Sequence, residues 1–234
     1  VAGRLSKRIG RLGLGSYGEY YELLTRRGEE AEMQVMLDLL TTHETHFFRE
    51  PQHFDFLRER VLPGWQGRSL RAWSAACSTG EEPYTLAMVL EHDLDGASWE
   101  ILGTDISTGV LERAQTGLFP VERAREIPAE YLSRYCLKGV RSRAGTLLMD
   151  ARLRRRMRWQ ALNLTAPFAD VGEFELIFLR NVLIYFDVPT KREVVARIVQ
   201  HLAPGGWLFV GHSETLHGSM DRLRAERPSV YQRT

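Results

Sequence analysis

A predicted strand, a tight loop of small residues, a helix and a second strand that ends in a carboxylate follow one another between residues 69 and 105. The loop at 75–80 reads Ala-Ala-Cys-Ser-Thr-Gly, and its small side chains let the backbone approach a ligand closely. The second strand ends in Asp105, where an acidic side chain can accept hydrogen bonds from ribose hydroxyls. Because the loop lacks the three glycines of a dinucleotide fingerprint, the pattern predicts a Rossmann-like domain that binds a nucleoside rather than a pyrophosphate.

The rest of the chain alternates between apolar strand candidates and helical segments. Strands are predicted at 69–76, 99–105, 157–163, 174–180 and 206–211, and helices at 83–93, 107–116 and 189–202. Such alternation predicts a parallel-rich sheet with crossover helices. Residues 1–48 have helical periodicity instead, so we predict an all-α domain there, a linker at 49–67 and an α/β domain at 68–234.

Composition narrows the class of protein. The 234 residues are enough for one large and one small domain. No apolar run approaches the roughly 20 residues that span a bilayer, and no signal peptide is visible, which predicts a cytoplasmic protein without membrane insertion. Two cysteines, Cys77 and Cys136, form no disulfide framework. The 31 basic and 30 acidic residues nearly balance, so net charge does not indicate nucleic-acid binding.

Four segments, one of which contains the loop at 75–80, carry a resemblance to one enzyme family. They read Thr-Thr-His-Glu-Thr-His-Phe-Phe-Arg-Glu at 41–50, Ala-Ala-Cys-Ser-Thr-Gly-Glu-Glu-Pro-Tyr at 75–84, Leu-Arg-Asn-Val-Leu-Ile-Tyr-Phe at 179–186 and Gly-His-Ser-Glu at 211–214. Together they resemble motifs of the chemotaxis receptor methyltransferases, the CheR family. The resemblance implies a Rossmann-like methyltransferase domain with a small antiparallel β-subdomain insert at about 131–157, preceded by a small all-α domain. Because the chain begins at Val1, the family's usual first helix is expected to be missing.

The resemblance also implies a reaction. Methyl transfer from S-adenosylmethionine to glutamate side chains of chemoreceptors gives γ-glutamyl methyl esters and S-adenosylhomocysteine. An ionised carboxylate is already nucleophilic at neutral pH, so the reaction needs positioning rather than a general base. No metal is expected, since His43 and His46 lack the spacing of a zinc motif. Two alternatives stay open: a methyltransferase with another acceptor, such as a nucleic acid, and a cofactor-binding module without turnover.

Site residues are assigned by the same resemblance. Tyr185 and Arg49 are the expected catalytic residues, with Tyr185 near the transferred methyl group and its acceptor. At least one of Glu81 and Glu82 is expected to bind the methionyl amino group, and the sequence does not choose between them. His43 stands where the family usually has an asparagine. The full set of expected cofactor-binding residues is His43, Thr45, Arg49, Ala76, Gly80, Glu81, Glu82, Asp105, Asn163, Leu164, Arg180 and Asn181.

Two basic features concern partners. Arg4, Lys7, Arg8 and Arg11 form a basic face on the first predicted helix, which the resemblance implies as a binding surface for the cytoplasmic domain of a chemoreceptor. A second run of arginines, at 152–158, is predicted to alternate along a strand, with solvated surface, receptor contact and nucleic acid left open as its role. A receptor tail peptide at the β-subdomain is a further partner that the family raises, and a monomer without nucleic acid is expected.

Overall fold

The computed structural model describes residues 2–65, 67–94, 96–216 and 222–234. Its N-terminal part contains three helices, α1 (Ala2–Arg11), α2 (Tyr17–Leu24) and α3 (Glu30–Leu40). They pack around a small apolar cluster of Leu5, Ile9, Tyr20 and Leu24. The helical layer ends at Leu40, because residues 41–48, which were predicted as part of it, are not helical.

The segment predicted as a linker packs against the α/β domain. It contains α4 (Gln52–Phe56), which continues into a π-helical turn (Leu57–Val61) and a 3₁₀ turn (Leu62–Trp65). Phe47, Phe54 and Leu57 are buried in the large core that lies beneath the central sheet. The burial of these three side chains holds the segment against the α/β domain.

The remaining elements alternate through the rest of the chain. The first half contains β1 (Leu70–Ala75), α5 (Glu81–Asp93), β2 (Trp99–Asp105), α6 (Thr108–Thr116), β3 (Leu118–Pro120), α7 (Ala129–Tyr135), β4 (Cys136–Lys138) and β5 (Thr146–Met149). The second half contains α8 (Ala151–Arg154), β6 (Met157–Ala161), β7 (Phe174–Leu179), a 3₁₀ turn (Leu183–Tyr185), α9 (Val188–Gln200), β8 (Leu202–Val210), β9 (Leu223–Arg227) and β10 (Val230–Arg233). None of the helices in these described ranges is long and apolar enough to cross a bilayer.

Seven strands form the central sheet in the order β6-β2-β1-β7-β8-β10-β9. The first five of these run parallel, and β10 is antiparallel to both of its neighbours, β8 and β9. The α/β alternation therefore predicts the five parallel strands correctly. The antiparallel pair at the C-terminus was not predicted, because its exposed, charged strand β9 has no clear apolar alternation.

A second, three-stranded antiparallel sheet has the order β3-β5-β4. It begins at Leu118, earlier than the predicted insert, because the three-residue strand β3 is too short to show a period. The predicted strand alternation of Arg154, Arg156 and Arg158 is wrong, since α8 occupies Ala151–Arg154 and β6 begins only at Met157. Within this run, Arg154 donates to the Met149 carbonyl and Arg156 to the Ala97 carbonyl.

Candidate functional site

A cavity of about 390 Å³ lies where β1, β2, β6 and β7 end. Open α/β sheets bind ligands at this carboxyl edge. Its lining combines residues 41–45, which follow α3, and Arg49 of the linker with the loops that follow the four strands. Eleven of the predicted site residues line it, namely His43, Thr45, Arg49, Ala76, Glu82, Asp105, Asn163, Leu164, Arg180, Asn181 and Tyr185. Gly80 and Glu81 are not among the lining residues.

Asp105 holds the small-residue loop in shape. Its carboxylate accepts hydrogen bonds from the backbone N–H groups of Ser78, at 2.9 Å, and Ser107, at 3.0 Å. Ala76 and Ser78 have left-handed backbone conformations, with φ of 70° and 51°, which cost energy in residues other than glycine and need such support. Capping of α6 is the role of Ser107, whose hydroxyl accepts from Val110 N–H. Asp105 is therefore available to the cavity as well as to the loop.

Gly80 serves packing rather than the cavity. It precedes α5 with φ of 99°, a left-handed conformation that favours glycine. A Cβ atom there would lie 2.9 Å from the Cβ of Ala114, so a side chain would push α5 away from α6. The glycine thus allows the close approach of two helices, and its predicted cofactor contact stays a prediction.

Adjacent glutamates at the start of α5 point to different surroundings. Glu81 is buried and lies 3.7 Å from the guanidinium of Arg123, and burial raises the pKa of its carboxyl. Glu82 lines the cavity, accepting from the Ser74 hydroxyl at 2.7 Å and from Arg180 at 3.1 Å. Burial also raises the pKa of Glu82, although the Arg180 charge opposes that change. Glu82 is therefore the glutamate of the pair that a ligand in the cavity can reach.

Arg180 is a buried cation between two carboxylates. Its side chain is 1% exposed and lies 3.0 Å from Glu50 and 3.1 Å from Glu82. It also donates to the carbonyl of Arg49. Burial would raise the pKa of Glu50, but the Arg180 charge and hydrogen bonds from Asn181 and Arg180 lower it to about 2. This network joins the linker, α5 and the end of β7 at one wall of the cavity.

Glu214 organises the segment that carries Tyr185. Although it is only 4% exposed, its carboxylate accepts from the backbone N–H groups of Gly211, at 2.7 Å, Asn181, at 2.6 Å, and Ile184, at 3.2 Å. Asn181 has φ of 56°, so these bonds support another left-handed residue. Sequence reasoning gave Glu214 no role. The available signal was a single acidic residue directly after an apolar strand.

Tyr185 lies at the mouth of the cavity and not in the core. Its side chain lines the cavity and is 60% exposed. Ile184 and Val188 beside it are also exposed, at 48% and 60%. Three neighbouring apolar side chains that face solvent form a surface against which an acceptor molecule can pack.

Residues between Thr41 and Arg49 also line the cavity. The Thr41 hydroxyl donates to the Leu37 carbonyl and lies 2.7 Å from Nε2 of His43, so its oxygen accepts from the imidazole N–H. Arg49 donates to the Glu44 carbonyl at 2.8 Å. The guanidinium of Arg49 thus has a carbonyl partner and still lines the cavity.

The basic face of α1 is only partly available to a partner. Arg8 forms a salt bridge with Glu32, and this pair raises the pKa of the arginine and lowers that of the glutamate. Arg4 donates to two carbonyl oxygens at the end of α3. Lys7 and Arg11 are exposed. Two of the four predicted receptor-binding cations therefore stabilise the N-terminal layer.

Acceptor groups in the cavity fit a nucleoside that carries an amino-acid group. Asp105 presents a carboxylate to hydroxyls, and Glu82 presents one to an ammonium group. Ile106, Leu162 and Leu164 add apolar surface of the kind that packs against a base. These residues would hold S-adenosylmethionine without requiring any other charged group in the cavity.

Comparison with known proteins assigns both the N-terminal and the C-terminal part of the chain to one protein family. The model of the CheR methyltransferase all-alpha domain matches residues 1–41, and that of the CheR methyltransferase SAM binding domain matches residues 43–231. Chemotaxis protein methyltransferase 2 of Pseudomonas aeruginosa is 40% identical over 99% of this chain and 83% of its own length. The chemotaxis protein methyltransferase of Escherichia coli is 38% identical over 99% of this chain and 81% of its own. That of Borreliella burgdorferi is 34% identical over 100% of this chain and 85% of its own.

Proposed function

The chain belongs to the CheR family of methyltransferases, and we propose on that premise that it methylates glutamate side chains of chemoreceptors. The protein is an S-adenosylmethionine-dependent methyltransferase, and its methylation of receptors serves adaptation in chemotaxis. Esterification of glutamate is the step that we propose. The observation that carries it is the cavity. Its carboxylates suit a nucleoside with an amino-acid group, and its mouth has exposed apolar residues, Tyr185 among them.

Each wall of the cavity has its own task in this proposal. Asp105 accepts hydrogen bonds from the ribose hydroxyls, and Glu82 binds the methionyl ammonium group. Leu162 and Leu164 contact the base. When bound, S-adenosylmethionine supplies an electrophilic methyl group on a cationic sulfur. Arg180 lies 3.1 Å from Glu82 and opposes the rise in pKa that burial causes there, so it favours the charged carboxylate that an ammonium group needs.

The acceptor needs only to be placed. A glutamate carboxylate is ionised at neutral pH, so no residue has to remove a proton from it. Holding two reactants in line contributes on the order of 7–11 kcal/mol to lowering the barrier. Tyr185 can orient the acceptor, because its ring lies at the mouth of the cavity and its hydroxyl can donate to a carboxylate oxygen.

A protein acceptor is favoured over a nucleic acid. Ile184, Tyr185 and Val188 place exposed apolar surface beside the cavity, which suits a protein partner. Arg154 and Arg156 of the basic run at 152–158 donate to carbonyl groups of the chain itself. We also propose a cytoplasmic monomer, with a receptor tail peptide at the three-stranded sheet as an additional contact.

Transfer of label to a receptor tests the proposal. The protein is incubated with S-adenosylmethionine labelled in its methyl group and with the signalling domain of a chemoreceptor. Label that enters the receptor and is released by mild alkali as methanol supports a glutamyl methyl ester. Label that resists alkali, or that enters added nucleic acid instead, contradicts it. Cofactor binding without transfer to any receptor tested would favour the binding module.

Tyr185→Phe should separate acceptor positioning from cofactor binding. We expect turnover to fall about tenfold, since loss of one hydrogen bond costs up to about 1.5 kcal/mol. The affinity for S-adenosylhomocysteine should stay within about threefold, because the effect belongs to the transition state. Steady-state rates and calorimetry measure the two quantities. Tyr21→Phe, at an exposed tyrosine of α2, is the control, and equal losses of affinity and rate would assign Tyr185 to the cofactor.

Reversing Lys7 and Arg11 to glutamate should slow receptor methylation at low salt. These exposed cations remain after Arg4 and Arg8 are excluded for their internal hydrogen bonds. Steering by surface charge acts on association, so the defect should shrink as salt rises, and cofactor affinity should not change. Arg26→Glu with Arg27→Glu makes the same charge change elsewhere on the N-terminal layer. If both double variants behave alike, the receptor does not recognise α1.

A further inference from the structure

Three side chains from two distant parts of the chain meet near Arg180. Glu50 comes from the linker, His53 from α4 and His212 from the loop after β8. Each offers one ligand atom, and these atoms all lie within 4.8 Å of one another. We propose that they form a binding site for a divalent metal ion of the zinc class.

The distances require little adjustment. Nδ1 of His53 lies 3.4 Å from Oε2 of Glu50, and Nε2 of His212 lies 4.0 Å from the same oxygen. Ligands at about 2.0–2.2 Å from a tetrahedral zinc ion are separated from one another by roughly 3.3–3.6 Å. His212 is the group that must move, and it is free to do so because its side chain is 48% exposed.

The hydrogen bonds of His53 leave a bare lone pair in the cluster. The Ser229 hydroxyl has one proton, which it donates to the Pro228 carbonyl at 2.6 Å. Its oxygen, 2.7 Å from Nε2 of His53, must therefore accept the Nε2 proton. In the neutral ring Nδ1 then has no proton, and this buried atom has no hydrogen-bond partner.

The bare Nδ1 of His53 thus faces Oε2 of Glu50 across 3.4 Å, and a buried polar atom without a hydrogen-bond partner is costly. A metal ion satisfies both atoms, since it binds neutral imidazole and ionised carboxylate.

The surroundings have the features of a metal site. A ligating histidine normally donates its other ring N–H to a fixed acceptor, as His53 does to Ser229. Two nitrogens and one oxygen suit zinc, cobalt or nickel better than magnesium or calcium. Three protein ligands leave a coordination position for water. Arg180 binds the same oxygen of Glu50 at 3.0 Å, so the ion shares that carboxylate and should bind less tightly than in a closed four-ligand site.

Metal titration tests the site directly and does not depend on the proposed methyl transfer. Chelator-treated protein is titrated with Zn²⁺ by calorimetry and with Co²⁺ by visible absorption. We expect one equivalent to bind. His212→Gln should weaken binding by at least tenfold, and Ser229→Gly, which removes the acceptor for His53, by about 10- to 100-fold. His46→Gln, an exposed histidine outside the cluster, should bind as the wild type does.

Three outcomes would overturn the inference. They are the absence of saturable binding, equal affinity in the wild type and His212→Gln, and a thiolate-to-cobalt charge-transfer band that assigns the ion to Cys136 or Cys77. His53→Gln is informative only if circular dichroism shows it folded, because His53 is fully buried. The exposed His212 keeps the test decisive if that variant fails to fold.

Discussion

Replacing Arg180 by methionine should lower the free energy of unfolding by about 3–5 kcal/mol, the usual result of removing one partner from a buried ion pair. The guanidinium is 1% exposed and lies between Glu50 and Glu82, so its loss leaves two carboxylates without their shared cation. Methionine has a similar length and fills the space with apolar atoms. Denaturant unfolding of both proteins at neutral pH measures the difference.

Acid should reduce that difference. In the wild type the pKa of Glu50 is lowered to about 2, below the value of about 4.3 in an unfolded chain. Its ionised form therefore stabilises the wild type above about pH 4.3, and this contribution is lost as pH falls toward 2. The variant lacks it, so the two unfolding energies should converge over that range. Arg158→Met, at a 77% exposed arginine, should change stability by no more than about 0.5 kcal/mol. A similar small effect at Arg180 would show that its ion pairs with Glu50 and Glu82 contribute little to stability.

Asp105→Ala should weaken S-adenosylhomocysteine binding by about 1.5–3 kcal/mol, or roughly 10- to 150-fold in Kd. The reason is twofold: the carboxylate that we assign to the ribose hydroxyls is lost, and so are the bonds that hold Ser78 and Ser107. Calorimetry with the folded variant measures the effect.

Asp105→Asn helps to separate the two causes, because the amide keeps the volume and one acceptor but loses the charge. A loss confined to the alanine variant assigns the effect to the shape of the loop. Asp170→Ala, at an 85% exposed carboxylate far along the chain, is the matched control. Unchanged affinity in a folded Asp105→Ala protein would remove Asp105 from the cofactor site.

The parallel strands and the edge where a ligand binds could be read from local pattern. Apolar runs, small-residue loops and strand ends are properties of residues close together in the chain, and the five predicted parallel strands are all present. The motif at 75–84 and Asp105 identify the same edge for a similar reason, since parallel strands bring their carboxyl ends together. Sequence resemblance also identified the family, which the two domain models confirm.

Orientation within a motif was not readable in that way. Glu81 and Glu82 are neighbours on one helix, and consecutive helical side chains point in directions about 100° apart, so only the packing of α5 turns one of them to the cavity. Arg8 illustrates the same point on α1, because its pairing with Glu32 depends on how α1 and α3 pack.

Contacts between polar groups that are far apart in the chain could not be predicted from local sequence patterns. Periodicity and loop chemistry arise from residues a few positions apart, and they were sufficient for the parallel sheet and for the edge where its ligand binds. The other expected residues of the cavity wall came from the family resemblance. Glu214 beneath the segment at 181–185, Arg180 between Glu50 and Glu82, and the cluster of Glu50, His53 and His212 join segments up to 162 positions apart. Burial makes such partners obligatory, but which partners are available depends on the folded arrangement of the strands, helices and linker.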